Sequence, residues 1–208
     1  LVIPDQFYDH TRRRVASFFG DGIVAHVGMA EPVCPDLASR LYTAAVGTGA
    51  RVHRGGTYLC IEGPQFSSKA ESRIYRAWGV DVIGMTNMPE AKLAREAELC
   101  YATLALATDY DVWHESEEAV TVEAVVANLL KNVATAKDVL RRVVPLIALP
   151  RTCPCPGLLK NAVITAPGAF PPATRRKLGL LIGKYFPAPP RRARAAKRVR
   201  LRRGRRRG

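Results

Sequence analysis

Short apolar runs alternating with stretches of helical periodicity leave this chain few folds to choose from. Residues 22–28, 53–62, 80–85 and 99–108 have the near-continuous apolar or small-residue character of strands covered on both faces. Between them, residues 35–50 carry apolar side chains at helical spacing, and Gly47 and Gly49 close that helix. Ser68, followed three residues later by Glu71, forms a capping box that opens a helix on which Ala70, Ile74 and Trp78 share a face; Gly79 ends it. Residues 89–98 read as a short helix. The alternation predicts an α/β fold, a sheet flanked by helices.

A longer helix is expected over residues 121–144, with Val122, Val125, Val126, Leu129, Leu130, Val133, Leu140 and Val143 in one stripe that should pack along the sheet. Beyond Pro145 the chain turns loop-rich through Pro150, Pro154 and Pro156, then offers a last helix over about residues 172–185. The proline-rich residues 187–190 mark the end of the folded unit. This gives one domain over residues 1–186 and a basic tail over 187–208, whose composition predicts disorder.

The tail also decides what the net charge of +14 means. Residues 191–208 hold 11 of the 32 Lys and Arg and no acid, which leaves 21 basic against 18 acidic residues in the body, close to neutral. An arginine run without interleaved aromatics gives salt-sensitive, unspecific contact with nucleic acid and no specific site. No run approaches the roughly 20 apolar residues of a membrane span, and the first residues lack the marks of a signal peptide, so a soluble cytoplasmic protein is expected. The 208 residues suffice for one ordinary core. The cysteines at 34, 60, 100, 153 and 155 are odd in number and lack zinc-finger spacing, so reduced thiols are the default, with Cys153 and Cys155 as a minor redox alternative.

Three strand-to-helix turns carry the chemistry. Asp109 and Asp111 follow an apolar run, where α/β folds place catalytic side chains, although such a pair more often binds a cation or caps a helix. Residues 63–68 present Phe66 at a rim where a base would stack, or else as a core residue. Residues 84–90 offer the Thr86 hydroxyl and free amides to an oxyanion, or form an ordinary helix cap. No glycine-rich phosphate loop of either standard type is present.

In chain order, these pieces resemble the methylthioadenosine phosphorylases of the trimeric purine nucleoside phosphorylase family. The resemblance rests on Asp5, Gln6 and Phe7; His26; residues 29–32; Gly56 and Thr57; residues 61–64; residues 66–68; residues 70–72; residues 81–83; Met85 and Thr86; Pro89 and Glu90; and residues 107–111. It spans roughly residues 3–186. It implies a purine nucleoside phosphorylase-like mixed sheet and a pentosyltransferase of purine and methionine salvage. The reaction would split S-methyl-5'-thioadenosine with inorganic phosphate as co-substrate, without metal or organic cofactor.

By the same resemblance, Phe66 and Met85 flank purine and ribose, Thr86 touches phosphate and Ser67 lies beside the base. Asp109 would bond purine N7 and Asp111 the exocyclic amine. Val122, Val125 and Val126 would wall the 5' substituent, with His26 reaching in from a neighbouring subunit of a homotrimer. Asp109 could protonate the departing purine only if burial or its neighbouring carboxylate raised its pKa. The 6-oxopurine relatives carry Asn and Glu where this chain has Asp109 and Ser67, so adenine-type specificity is expected, with a broader or 6-oxopurine phosphorylase as the alternative. Family members begin with a strand and glycine-rich turn that bind phosphate, followed by an Arg-His pair; neither is in this sequence, so it reads as N-terminally truncated. The rival from another class is an inactive fragment whose basic tail binds nucleic acid.

Overall fold

A computed structural model describes residues 1–114, 122–147 and 149–187. The sequence-predicted tail beyond residue 187 lies outside them. Strands β1 (Val2–Ile3) and β2 (Gln6–His10) are followed by helix α1 (Pro35–Val46), strands β3 (His53–Arg54) and β4 (Thr57–Ile61), helix α2 (Lys69–Ala77), strand β5 (Val82–Gly84) and helix α3 (Glu90–Glu96). The long α4 (Val122–Val143) and the short α5 (Pro172–Lys177) and α6 (Gly179–Ile182) complete the order. The fold is α/β, as the alternation predicts.

The named strands pair only in parallel. β4 lies between β2 and β5, with Gln6 opposite Thr57, His10 opposite Ile61 and Cys60 opposite Gly84, and β1 pairs with β3 beside them. Antiparallel pairing is confined to isolated residue pairs. Parallel strands are covered on both faces, which explains why Tyr58, Leu59, Cys60 and Ile61 are buried in succession. One face of β4 packs Leu59 and Ile61 on Tyr75 of α2. The other packs Tyr58 and Cys60 on Met88, Ala91 and Ala105. Burying a Leu or Ile this fully contributes about 2 kcal/mol.

Four expectations are corrected. Residues 22–28 form no strand; Ile23 pairs only with Gly20, and Ala25 only with Val163 of the C-terminal region. Residues 99–108 form none either, because their sole ladder contact is the pair between Ala105 and Val2 at the two-residue β1. On α2 the buried side chains are Ser72 and Tyr75, while Ile74 and Trp78 stand exposed, Trp78 edge-on to Tyr8. The α4 stripe does not line the sheet. Among the described side chains of α4, only Val139 and Val143 are buried apolar residues, against Leu41, Ala44 and Ala45 of α1 and Ile3, whereas Val126, Leu129, Leu130, Val133 and Leu140 are exposed.

The C-terminal region is a satellite core. Phe170, Leu178 and Ile182 enclose Ile23, and the expected single helix over 172–185 breaks into α5 and α6 at Leu178. Glu98 locks this unit to the rest: it accepts from the Leu159 amide at 2.8 Å and the Tyr185 hydroxyl at 2.6 Å, and pairs with Lys184. No described helix is long and apolar enough to cross a membrane.

Candidate active site

The loops that leave β4 and β5 at their carboxyl ends are built for close approach. Gly63 follows β4 with φ of +70°, a conformation that L side chains rarely adopt, and a Cβ there would stand 2.9 Å from Met85 Sδ. Met85 can therefore lie directly on the backbone of the first loop, while packing on the Leu59, Ile61 and Tyr75 cluster. Gly84 is required for a different reason. A Cβ would meet the Tyr58 hydroxyl at 1.7 Å, so only glycine lets this strand end pass over the ring.

From this base the first loop presents Phe66, 85% exposed, beside the half-buried Ser67. The capping box then starts α2: Ser68 Oγ accepts from the Glu71 amide at 3.2 Å, and Glu71 Oε2 accepts from the Ser68 amide at 2.8 Å. The Ser68 backbone amide, joined by its hydroxyl, holds the Glu71 carboxyl below its ordinary range. Thr86 is exposed on the second loop, where its side chain and backbone approach the Tyr58 hydroxyl. Burial pushes that phenol up, more than these hydrogen bonds lower it.

Arg14 ties the two loops together, a role the sequence reading did not assign. Its guanidinium donates to the carbonyls of Glu62 at 2.9 Å and Met85 at 2.7 Å, to that of Met88, and through Nε to the Glu62 carboxylate at 3.4 Å. Glu62 in turn accepts from the Arg12 amide at 2.6 Å, which leads the contacts holding its carboxyl below the usual range. The visible signal was three consecutive arginines one residue beyond β2.

Asp109 and Asp111 are placed differently. Asp109 is exposed, accepts from the Thr108 hydroxyl, and lines a cavity of about 760 Å³ with Gly55, Gly56, Asp81, Val82 and Tyr110. Gly56 and Asp81 precede β4 and β5, so this cavity opens at the amino ends of those strands, and neither Phe66, Ser67, Met85 nor Thr86 lines it. Asp111 turns the other way. One oxygen accepts from the Val112 amide at 2.9 Å, and the other is buried without a hydrogen-bond partner. Its charge reaches Tyr75, whose phenol is raised by burial first and then by Glu71 and Asp111. Arg76 of α2 sits 3.6 Å from the Trp113 ring centre, which fastens this segment to the helix, while Tyr110 stacks on His114 within the segment.

The structure thus brings the Phe66 loop and Met85 together and leaves Asp109 apart from them. His26 is exposed, with its backbone bonded to the Ala162 carbonyl at 2.8 Å. Val126 is exposed, and the side chains of Val122 and Val125 lie outside the described residues. The cysteines also differ from their scattered appearance: Cys34, Cys100, Cys153 and Cys155 place their sulfurs within 4.8 Å of one another.

The phosphorylase superfamily model matches residues 1–145. The S-methyl-5'-thioadenosine phosphorylase of Geobacter sulfurreducens is 56% identical over 186 residues, covering 89% of this chain and 65% of the relative. That of Koribacter versatilis is 57% identical over 186 residues, covering 89% and 64%. The crystal structure of a methylthioadenosine phosphorylase sourced from an antarctic soil metagenomic library superposes with a TM-score of 0.82 at 49% identity, covering 86% of this chain and 64% of that one. The methylthioadenosine phosphorylase from Schistosoma mansoni in complex with adenine gives 0.66 at 30% identity, covering 88% and 65%. The chain therefore spans just under two thirds of the length of these relatives. A match over residues 1–145, reached independently of the sheet order and the Phe66 loop, makes this chain a member of the phosphorylase superfamily.

Proposed function

We propose that the protein carrying this chain is an S-methyl-5'-thioadenosine phosphorylase, a pentosyltransferase that forms adenine and 5-methylthioribose 1-phosphate from S-methyl-5'-thioadenosine and inorganic phosphate. The observation that carries this reading is the 56% identity over 186 residues with a relative of that name. The activity is assigned to the full-length protein, since the chain spans 65% of that relative.

The carboxyl ends of β4 and β5 fit one half of such a site. Phe66 stands free to stack on a purine, and Met85, held against Gly63, forms the floor beneath purine and ribose. Thr86, exposed beside the Tyr58 hydroxyl, meets phosphate, and Ser67 flanks the base. The buried, unpartnered oxygen of Asp111 is an acceptor in want of a donor, which the exocyclic amine of adenine supplies; a 6-oxopurine would set an oxygen against it. Asp109 takes the role of bonding and protonating N7 as the purine leaves with growing negative charge.

That role requires residues 107–114 to swing Asp109 from the cavity beside Gly56 toward the Phe66 loop. We assign the remaining phosphate contacts to the part of the relatives' length that this chain does not span. Val122, Val125 and Val126 of α4 wall the 5' substituent, and His26 closes that pocket from a neighbouring subunit of a homotrimer in the cytoplasm, with no metal or organic cofactor in the chemistry.

The test is phosphate-dependent release of adenine from methylthioadenosine by the full-length protein, with inosine as comparator. Adenine release with little cleavage of inosine supports the reading. Preference for inosine would move the assignment to a 6-oxopurine phosphorylase.

A further inference from the structure

We propose that Cys34, Cys100, Cys153 and Cys155 form a tetrathiolate site that binds a zinc ion and fastens the C-terminal region to the sheet-bearing core. The four Sγ atoms lie within 4.8 Å of one another, and those of Cys100 and Cys153 are 3.3 Å apart. A tetrahedral ion with Zn–S bonds of about 2.3 Å needs sulfurs about 3.8 Å apart, a spacing within this range. No pair is at bonding distance, and all five cysteines are free thiols. Soft thiolates in a closed set of four select zinc over hard cations and leave no open position for catalysis, so the role is structural.

The surroundings fix the thiols independently of any ion. Cys34 immediately precedes α1, so its sulfur sits at the positive end of a 12-residue helix. Thr152 donates to Asp36 at 2.9 Å, which pins the loop carrying Cys153 to the first turn of that helix. Arg151 donates to the Glu98 carbonyl at 3.1 Å and approaches Cys100 Sγ at 3.8 Å, placing a positive charge where four thiolates around a dication would leave net negative charge. Cys34 and Cys155 are buried, whereas Cys100 and Cys153 are half-buried, which gives the ion a way in.

Burial pushes the Cys34 thiol up to about 11 and raises that of Cys155 as well. Each thiol surrenders its proton to solvent as its sulfur binds, with no change of oxidation state, so binding strengthens as pH rises.

The experiment uses the 208-residue chain purified under reducing conditions without chelator, with metal analysis, a thiol titration and Co²⁺ as spectroscopic probe. Stoichiometric zinc is expected, with thiolate-to-cobalt charge transfer and tetrahedral ligand-field bands on Co²⁺ exchange. Both should vanish in Cys155→Ser and persist in Cys60→Ser, whose cysteine lies outside the cluster. Arg151→Ala should bind zinc about tenfold more weakly. The site is overturned if the unaltered, reduced chain gives no cobalt–thiolate absorption while all its thiols titrate. It is equally overturned if the isolated chain carries disulfides among these cysteines, or iron in place of zinc.

Discussion

The carboxyl ends of β4 and β5 and the segment carrying Asp109 and Asp111 belong to one proposed site, yet they are held by unlike means. At the strand ends the two loops are tied by a half-buried clamp, with Arg14 donating to the carbonyls of Glu62, Met85 and Met88. Residues 99–108 have one antiparallel pair, Val2 with Ala105, as their ladder, and beyond them the chain leans on α2 through the Arg76 cation on the Trp113 ring. A side chain is placed well where the backbone under it is bonded. The first half of the site is prearranged by this chain, and the second is not.

Arg14→Met should cost about 3 kcal/mol in chemical denaturation, because it strands several carbonyls as well as the Glu62 carboxylate. A loss below about 1 kcal/mol would show that the loops hold without the clamp. Gly84→Ala should cost about 2 to 3 kcal/mol, since Tyr58 must leave its position under the strand end. A crystal structure of that variant should show the ring displaced.

How far the sequence carried the account follows from the same contrast. The α/β alternation, the Ser68 capping box, α1 and α3 were legible because local pattern and tertiary context agree there, whereas the single strand expected over residues 53–62 is divided at Gly55 and Gly56 into β3 and β4. The strand expected over residues 99–108 has the right composition, but a strand exists only with a partner, and only the two-residue β1 flanks it. The α4 stripe was legible as a period and not as a contact, since periodicity does not say what covers a face. Arg14 was missed because its partners are main-chain carbonyls up to 74 residues away, which no motif encodes. Phe66 and the aspartates drew notice by position after apolar runs, and Met85 through the family resemblance; that Asp109 and Asp111 would face different ways was not visible.

Glu98 sharpens the contrast for the C-terminal region. Burial raises its carboxyl, but Lys184, Tyr185 and the Leu159 amide together outweigh burial and hold it below its ordinary range. A depressed carboxyl contributes stability that is present above its unfolded-state pKa and is lost as pH falls through the folded-state value. Acid should therefore loosen this region as Glu98 protonates, and Glu98→Gln should cost about 2 kcal/mol at neutral pH and flatten the acid limb of a stability titration. The smallest effect is expected on the exposed stripe: Leu130→Lys should change the stability of the isolated chain by no more than about 0.5 kcal/mol, read by thermal unfolding.

The most direct test of the account is the phosphate-dependent kcat/KM for methylthioadenosine of the full-length protein and of its Asp109→Asn variant, compared at equal stability. Because Asp109 is exposed and is assigned to the departing purine, the variant should keep its unfolding midpoint and lose roughly 10² to 10⁴-fold in kcat/KM. Undiminished turnover by Asp109→Asn, or no adenine release by the folded full-length protein, would contradict it.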